Sequence, residues 1–239
     1  MVENINLDFF RPPRGATPRA WSQKLDKQLG FNIFSIEQKL LKKYRAYDQP
    51  ADESNKKKHY QGTQAWIGLH PQVLQTPYPE IIDFMSILES LSPRKICDIG
   101  AGYGRVGFVT NAMFPECEFL GYEVVAERAK EANRVFEQYG LHQCQVLQEN
   151  ILDGEISLPE ADLYFIYDFS DPADLRRLLD KFDEMWFERN FFLVARGKGI
   201  RGIIQHKYPK FHAVNNPIHR ENWSMYSSWI DIDHLEQRP

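Results

Sequence analysis

The sequence predicts an α/β fold: a mostly parallel sheet, helices on both of its faces, and a final strand running against the rest. Three observations carry this. Apolar runs alternate with amphipathic stretches between residues 95 and 195, the pattern of parallel strands buried on both sides. The first of these runs passes through a glycine-rich turn directly into a helix, over residues 95–107. The tail holds two strand-like runs, 211–215 and 223–230, joined by a loop too short for a helical crossover. They should therefore pair antiparallel at the sheet edge.

In chain order, Pro12, Pro13 and Pro18 make residues 1–20 irregular. Residues 35–47 then repeat Ile36, Leu40, Leu41 and Tyr44 at helical spacing, with Ser35 placed to cap the helix. The polar stretch 49–58, with Lys56, Lys57 and Lys58, reads as a linker. The chain thus divides into a basic helical N-terminal arm, 1–60, and a larger domain, 61–239. Pro79 opens the next helix at its first turn, where a missing N–H costs nothing. Its apolar face is Ile81, Ile82, Met85, Leu88 and Leu91, and Ser92-Pro93 ends it. Strands follow at 95–99, 118–123, 144–147, 162–167 and 191–195, with helices at 104–113, 126–139 and 172–186.

Composition bounds the function. Of 239 residues, 43% are hydrophobic and 26% charged, close to an average globular chain. The 16 Phe, 11 Tyr and 5 Trp exclude a fully disordered protein. No apolar run reaches the roughly 18–20 residues that span a bilayer, and the first residues lack a secretory leader. A soluble, cytoplasmic protein with no membrane partner is expected. Cys97, Cys117 and Cys144 form no Cys-x-x-Cys pair and read as buried thiols of a reducing compartment. Residues 1–60 carry 12 Lys/Arg against 7 Asp/Glu, a balance of +5, on a body of −9. A basic arm on an acidic body can touch an acidic partner or nucleic acid, though such a bias is more often a solvated surface.

The segment Asp98-Ile-Gly100-Ala101-Gly102-Tyr-Gly104-Arg-Val-Gly107 is the most informative. Two patterns overlap in it. Gly102-x-Gly104-x-x-Gly107 matches the dinucleotide fingerprint of a nicotinamide-dependent (NAD) oxidoreductase. Asp98-x-Gly100-x-Gly102-x-Gly104 matches the first motif of Rossmann-like S-adenosylmethionine (SAM) methyltransferases. The first would set a charged Asp98 inside a buried strand, at a cost of several kcal/mol. The second ends the strand at Asp98 and turns it to the ligand, where it suits the cationic amino-acid end of SAM and repels a pyrophosphate. Gly121-Tyr122-Glu123 closes the next strand about 20 residues on, as ribose recognition requires. Asn150 and Ile151 follow the third strand, where an amide can meet adenine.

From about residue 76 to 230 the chain resembles a class I SAM-dependent methyltransferase, through Asp98–Gly104, Gly121–Glu123, Asn150-Ile151-Leu152 and the terminal Asn222-Trp-Ser-Met-Tyr226. A fainter similarity points to the Rossmann-type protein-lysine methyltransferases. The resemblance implies a Rossmann-like sheet of seven strands with the last inserted antiparallel, and SAM as cofactor. It places Thr76, Tyr78, Asp98, Gly100, Ala101, Gly102, Gly104, Glu123, Val124, Asn150, Ile151 and Tyr167 at the cofactor. Gln75-Thr76-Pro-Tyr78-Pro79 is similar to the lead-in that closes over SAM in several members.

Methyl transfer needs little beyond alignment and exclusion of water. The loop Tyr167-Asp168-Phe169-Ser170-Asp171-Pro172 should lie beside the glycine turn, with Asp168 orienting an amine or hydroxyl and Phe169 walling the pocket; Asp171 reads as a helix cap. The loop lacks the Asn/Asp-Pro-Pro-Tyr/Phe pattern of enzymes that methylate nucleic-acid amino groups. A protein or small-molecule acceptor is therefore favoured, of unknown identity. Seven histidines show no metal spacing. A catalytically inactive SAM-binding partner module is the non-enzyme alternative. The arm helix must dock to bury Ile36, Leu40 and Tyr44. With both sheet faces covered, the expected berth is the cleft rim, as a lid, with Tyr78 at the methionine end of SAM and Asp168 facing its methyl group.

Overall fold

Strands β1 (Lys95–Ile99) and β4 (Leu163–Tyr167) run through the middle of the sheet, and nearly every residue of both is buried, which is why neither alternates polar with apolar. The computed structural model describes residues 5–45, 67, 70, 75–213, 215–232 and 235. With β2 (Glu118–Glu123), β3 (Cys144–Gln148), β5 (Phe192–Arg196), β6 (Ile218–His219) and β7 (Trp223–Ser227), the sheet has seven strands in the order β3-β2-β1-β4-β5-β7-β6. β7 pairs antiparallel with both β5 and β6, and the other pairings are parallel. This is the Rossmann-like α/β arrangement expected from the sequence.

Among the described residues nine α-helices surround it: α1 (Leu7–Phe10), α2 (Pro18–Gln28), α3 (Ile33–Arg45), α4 (Tyr78–Ser86), α5 (Arg105–Met113), α6 (Ala126–Gln138), α7 (Pro172–Met185), α8 (Lys198–Lys207) and α9 (Lys210–Ala213). One core joins α4, α5 and α6 to one face of the sheet through Phe84, Phe108, Phe119 and Phe136. The other joins α7 and α8 to the opposite face through Leu178, Phe182, Tyr164 and Ile200. Asp171 caps α7, its side chain accepting from the backbone N–H groups of Ala173 and Asp174, as its position before Pro172 suggests.

The structure corrects four expectations. Pro18 does not interrupt the N-terminal stretch: it sits in the first turn of α2 behind Thr17, whose hydroxyl accepts from Ala20 N–H. Ser35 lies inside α3, because the helix already starts at Ile33. Residues 211–213 are helical where the strand 211–215 was expected, and residue 214 lies outside the described residues. Phe211 belongs to α9 and stacks on Trp186 with ring centroids 4.0 Å apart, while the edge strand is the two-residue β6 and β7 is inserted beside β5. Finally, α8 was unforeseen, because Gly199 and Gly202 mask the helical spacing of its buried Ile200 and Ile204.

The N-terminal helices pack as an added layer on α4, α5 and α6. Phe10, Leu25, Leu29, Phe31 and Ile33 are buried in the same core as Tyr78 and Phe108. Phe10 meets Tyr78 at 4.9 Å and Phe31 meets Phe108 at 5.6 Å between centroids. These aromatic faces offer apolar area for docking, and α3 also reaches the end of β2, where Leu40 packs with Val125. The linker 49–58 and the boundary at residue 60 lie outside the described residues. All three cysteines are buried and free, and burial pushes the Cys117 and Cys144 thiols up to about 12. Among the described residues no helix is long and apolar enough to cross a membrane.

Candidate functional site

The glycine turn leaves β1 at Ile99 and enters α5 at Arg105. Gly100, Gly102 and Gly104 all have positive φ, at 88°, 56° and 72°, a region that side chains enter only with strain. Two of them face different things. A Cβ on Gly100 would stand 2.7 Å from the Cβ of Phe169, so that glycine is required by packing. A Cβ on Gly102 would meet nothing within 4 Å among the described residues, so there the turn presents bare backbone to open space. Gly107, the third glycine of the dinucleotide pattern, instead lies 2.6 Å (as a built Cβ) from the Phe119 ring and serves the contact of α5 with β2.

Two carboxylates stand at the carboxyl ends of the neighbouring strands. Glu123, 5% exposed, accepts from Gly102 N–H through Oε2 at 2.9 Å and from Val125 N–H through Oε1 at 2.8 Å. It thereby ties the end of β2 to the glycine turn. Burial pushes its carboxyl up, against the opposing pull of Arg128 and of the two N–H groups. Asp98, 3% exposed, lies one residue before the end of β1, and its Oδ1 is buried with no hydrogen-bond partner among the described residues. Burial, and then the charge of Glu123, push its carboxyl well above the usual carboxylate range. β1 ends at Ile99, as the strand reading expects, and Asp98 stands one residue inside that end rather than closing the strand. Asp98 lines a small space of about 20 Å³ with Thr76, Ile81, Arg105, Phe165 and Tyr167, room for one water.

Of the residues expected at a cofactor, Asp98, Gly100, Ala101, Gly102, Gly104 and Glu123 come together around the turn, and Thr76 and Tyr167 join Asp98 at its cavity. Val124, half-buried, packs with Val125 against Ile36 and Leu40 of α3. Others have different work. The Tyr78 hydroxyl is buried and donates at 3.1 Å to Asp26 Oδ1, the acid that also holds Arg105. Asn150 closes a local turn, its Oδ1 accepting from Leu152 N–H at 3.1 Å and its Nδ2 donating to Asp153 at 2.6 Å. Ile151 is buried in the same core as Phe169. Asp168 caps α8, accepting from Gly199 N–H at 3.0 Å and Ile200 N–H at 2.7 Å.

Sequence reasoning missed the charged residues that brace the turn. Arg105 donates Nε to Asp26 Oδ1 at 3.0 Å, Nη1 to the Thr76 carbonyl at 3.0 Å, and Nη2 to Asp26 Oδ2. Tyr103, inside the turn, donates its hydroxyl to Glu37 Oε1 at 2.8 Å. Arg128 holds the same Glu37 with Nε at 2.8 Å and Nη2 at 3.1 Å. At the end of β5, Arg196 grips Glu80 at 2.7 Å and covers the Tyr167 ring at 4.2 Å. One signal was present in the sequence: Asp26 and Glu37 fall on the apolar stripes Ser22-Leu25-Asp26-Leu29 and Ile33-Ile36-Glu37-Leu40, where a charge needs a buried partner.

No protein-family model and no curated protein matches the chain. Among solved structures, an RNA methyltransferase from Salinibacter ruber in complex with S-adenosyl-L-homocysteine is similar at 16% identity over 66% of this chain and 90% of that one, with a TM-score of 0.45. The C-terminal domain of precorrin-6Y C5,15-methyltransferase from Rhodobacter capsulatus is similar at 18% identity over 64% and 89%, with a TM-score of 0.45. The StiE O-MT gives 15% identity and a TM-score of 0.39, and this chain spans only 40% of its length. Values this low say nothing of what this chain does.

Proposed function

We propose that the chain is a SAM-dependent methyltransferase whose acceptor is a nitrogen or oxygen nucleophile. The buried Asp98 Oδ1 without a partner carries the reading. A buried carboxyl oxygen left unsatisfied costs about 1–3 kcal/mol, and a ligand ammonium repays that cost where a pyrophosphate would meet two acids. Glu123 supports it: its two backbone bonds leave acceptor capacity for ribose hydroxyls. Gly102 supports it too, as bare backbone over open space.

In this reading Asp98 holds the amino-acid end of the cofactor, Glu123 the ribose, and Gly100–Gly104 its backbone-facing side. SAM would supply a methyl group on a sulfonium. The space beside Asp98 is too small for an amino-acid moiety, so Gln75-Thr76 must give way as the ligand enters. On the acceptor side, Tyr167 is fixed by Arg196 and Glu80. Asp168 holds the start of α8 and shapes the rim beside it. Protein or small-molecule acceptors remain favoured by the loop sequence. Calorimetric titration with SAM, S-adenosylhomocysteine and NAD tests the reading: the two sulfur ligands should bind and NAD should not. Binding of NAD alone would establish the oxidoreductase alternative, and SAM binding without turnover on any acceptor would leave the inactive module.

A further inference from the structure

Glu37 lies on α3, 66 residues before the turn residue it touches. Its carboxylate is buried, 9% exposed, and accepts from Tyr103 within the glycine turn and from Arg128 on α6. Arg128 is in turn the cation that Glu123 feels: burial alone would lower the Arg128 guanidinium, but Glu37 and Glu123 together raise it. The same helices send a second acid, Asp26, to Arg105 on the far side of Gly104. Both residues flanking Gly104 are thus held by carboxylates of the N-terminal helices. Other anchors of these helices avoid the turn, notably Glu131 on α6, which accepts from Asn32 N–H at 2.6 Å and from Asn32 Nδ2 at 3.1 Å.

We infer that Glu37 is a positioning residue of the cofactor site, holding the glycine turn through Tyr103 and the ribose acid Glu123 through Arg128. Docking of the N-terminal helices and binding of the cofactor are then coupled. The inference rests on the cofactor reading above. Loss of the Glu37 charge leaves Glu123 as the remaining acid for Arg128, which competes with a ribose for its lone pairs, while Tyr103 loses its fixed acceptor and the turn loosens. Coupling of this kind is reciprocal, so a bound cofactor must also steady α3.

The experiment compares full-length wild type with Glu37→Gln, Tyr103→Phe and Glu131→Gln. Calorimetry gives affinity for S-adenosylhomocysteine, thermal unfolding gives stability, and amide hydrogen exchange over residues 33–45 gives the reciprocal effect. Glu37→Gln should lose tenfold or more in affinity, and Tyr103→Phe about threefold, within the range of one hydrogen bond. Glu131→Gln should lose comparable stability yet stay within twofold of wild-type affinity. S-adenosylhomocysteine should slow exchange in α3 of wild type and do so less in Glu37→Gln. If Glu37→Gln fails to fold, Tyr103→Phe against Glu131→Gln decides. Equal affinities in wild type and the two turn variants would overturn the inference alone, as would an equal loss in Glu131→Gln. A wild-type protein that binds no S-adenosylhomocysteine would sink the cofactor reading and this inference together.

Discussion

Asp98 and Glu123 are the same chemistry in two settings. Both are acids buried at the carboxyl ends of adjacent strands, β1 and β2, at the same turn. Glu123 has each oxygen on a backbone N–H and a buried arginine behind it. Asp98 has an oxygen with no partner among the described residues. The first acid serves the architecture as well as any ligand. The second costs the folded protein free energy unless a water or a ligand satisfies it, which suits a group retained for binding.

The sharpest way to break this contrast is to neutralise each acid. Asp98→Asn should cost cofactor affinity about a hundredfold or more, from losing a buried charge-assisted bond, while leaving the ligand-free protein as stable or more so. The folded-state carboxyl titrates above its unfolded value. The folded protein therefore binds the extra proton, and wild-type stability falls as pH rises from the ordinary carboxylate range through the raised value. The stability advantage of Asp98→Asn should grow across that window and vanish below it, as unfolding curves at pH 4 and pH 8 would show. An unstable Asp98→Asn would mean that the acid is structural.

Glu123→Ala should do the opposite to the fold. It strands the Gly102 and Val125 N–H groups and leaves Arg128 with one acid fewer, so ~1–3 kcal/mol of stability should go. Affinity should fall about 10–100-fold. A cofactor analogue without ribose hydroxyls should bind mutant and wild type alike. Full discrimination by the mutant would remove Glu123 from the ribose.

Gly102→Ala sharpens the contrast at the backbone between the acids. The added methyl has space in the ligand-free protein, and only the positive φ charges it about 1–2 kcal/mol. The same methyl enters the space assigned to the cofactor. Affinity should therefore fall by more than stability, in calorimetry set beside thermal unfolding. An unchanged affinity would mean that the cofactor does not approach this glycine.

How much of this was legible beforehand follows from range. The strand β1, its glycine turn and the acid of β2 are local patterns, and residues 95–99 and 118–123 are strands as expected. The two-residue β6 and the helix α8 carry too little periodicity to read, one from brevity and the other from its glycines. The N-terminal helices show the deeper limit. Their amphipathic stripes were visible, but Asp26 meets Arg105 across 79 residues and Glu37 meets Arg128 across 91. A charge on an apolar stripe announces that a partner exists and does not say where. Asp98 was read as ending its strand. It is buried one residue short of the end, and the carboxylate cost held against the dinucleotide pattern is present in the ligand-free protein itself.

The smallest effect separates the two readings of Asp168. Its carboxylate caps α8 through two N–H groups, and a built Cβ on Gly197 would stand 2.3 Å from its Oδ2, so the loop after β5 wraps it closely. A cap of this kind contributes about 0.5–2 kcal/mol. Asp168→Asn keeps one acceptor for those N–H groups and should lose a few tenths of a kcal/mol to ~1 kcal/mol, with cofactor affinity unchanged. Asp168→Ala should lose the whole cap. If Asp168 only caps, turnover of an identified acceptor should track stability across the two variants, and Asn should retain most of it. If its charge also orients the acceptor, Asn should lose turnover as heavily as Ala does, with kcat falling while the fold survives. The geometry favours the cap, because both carboxylate oxygens already hold the first turn of α8, and the expected outcome is that Asn rescues.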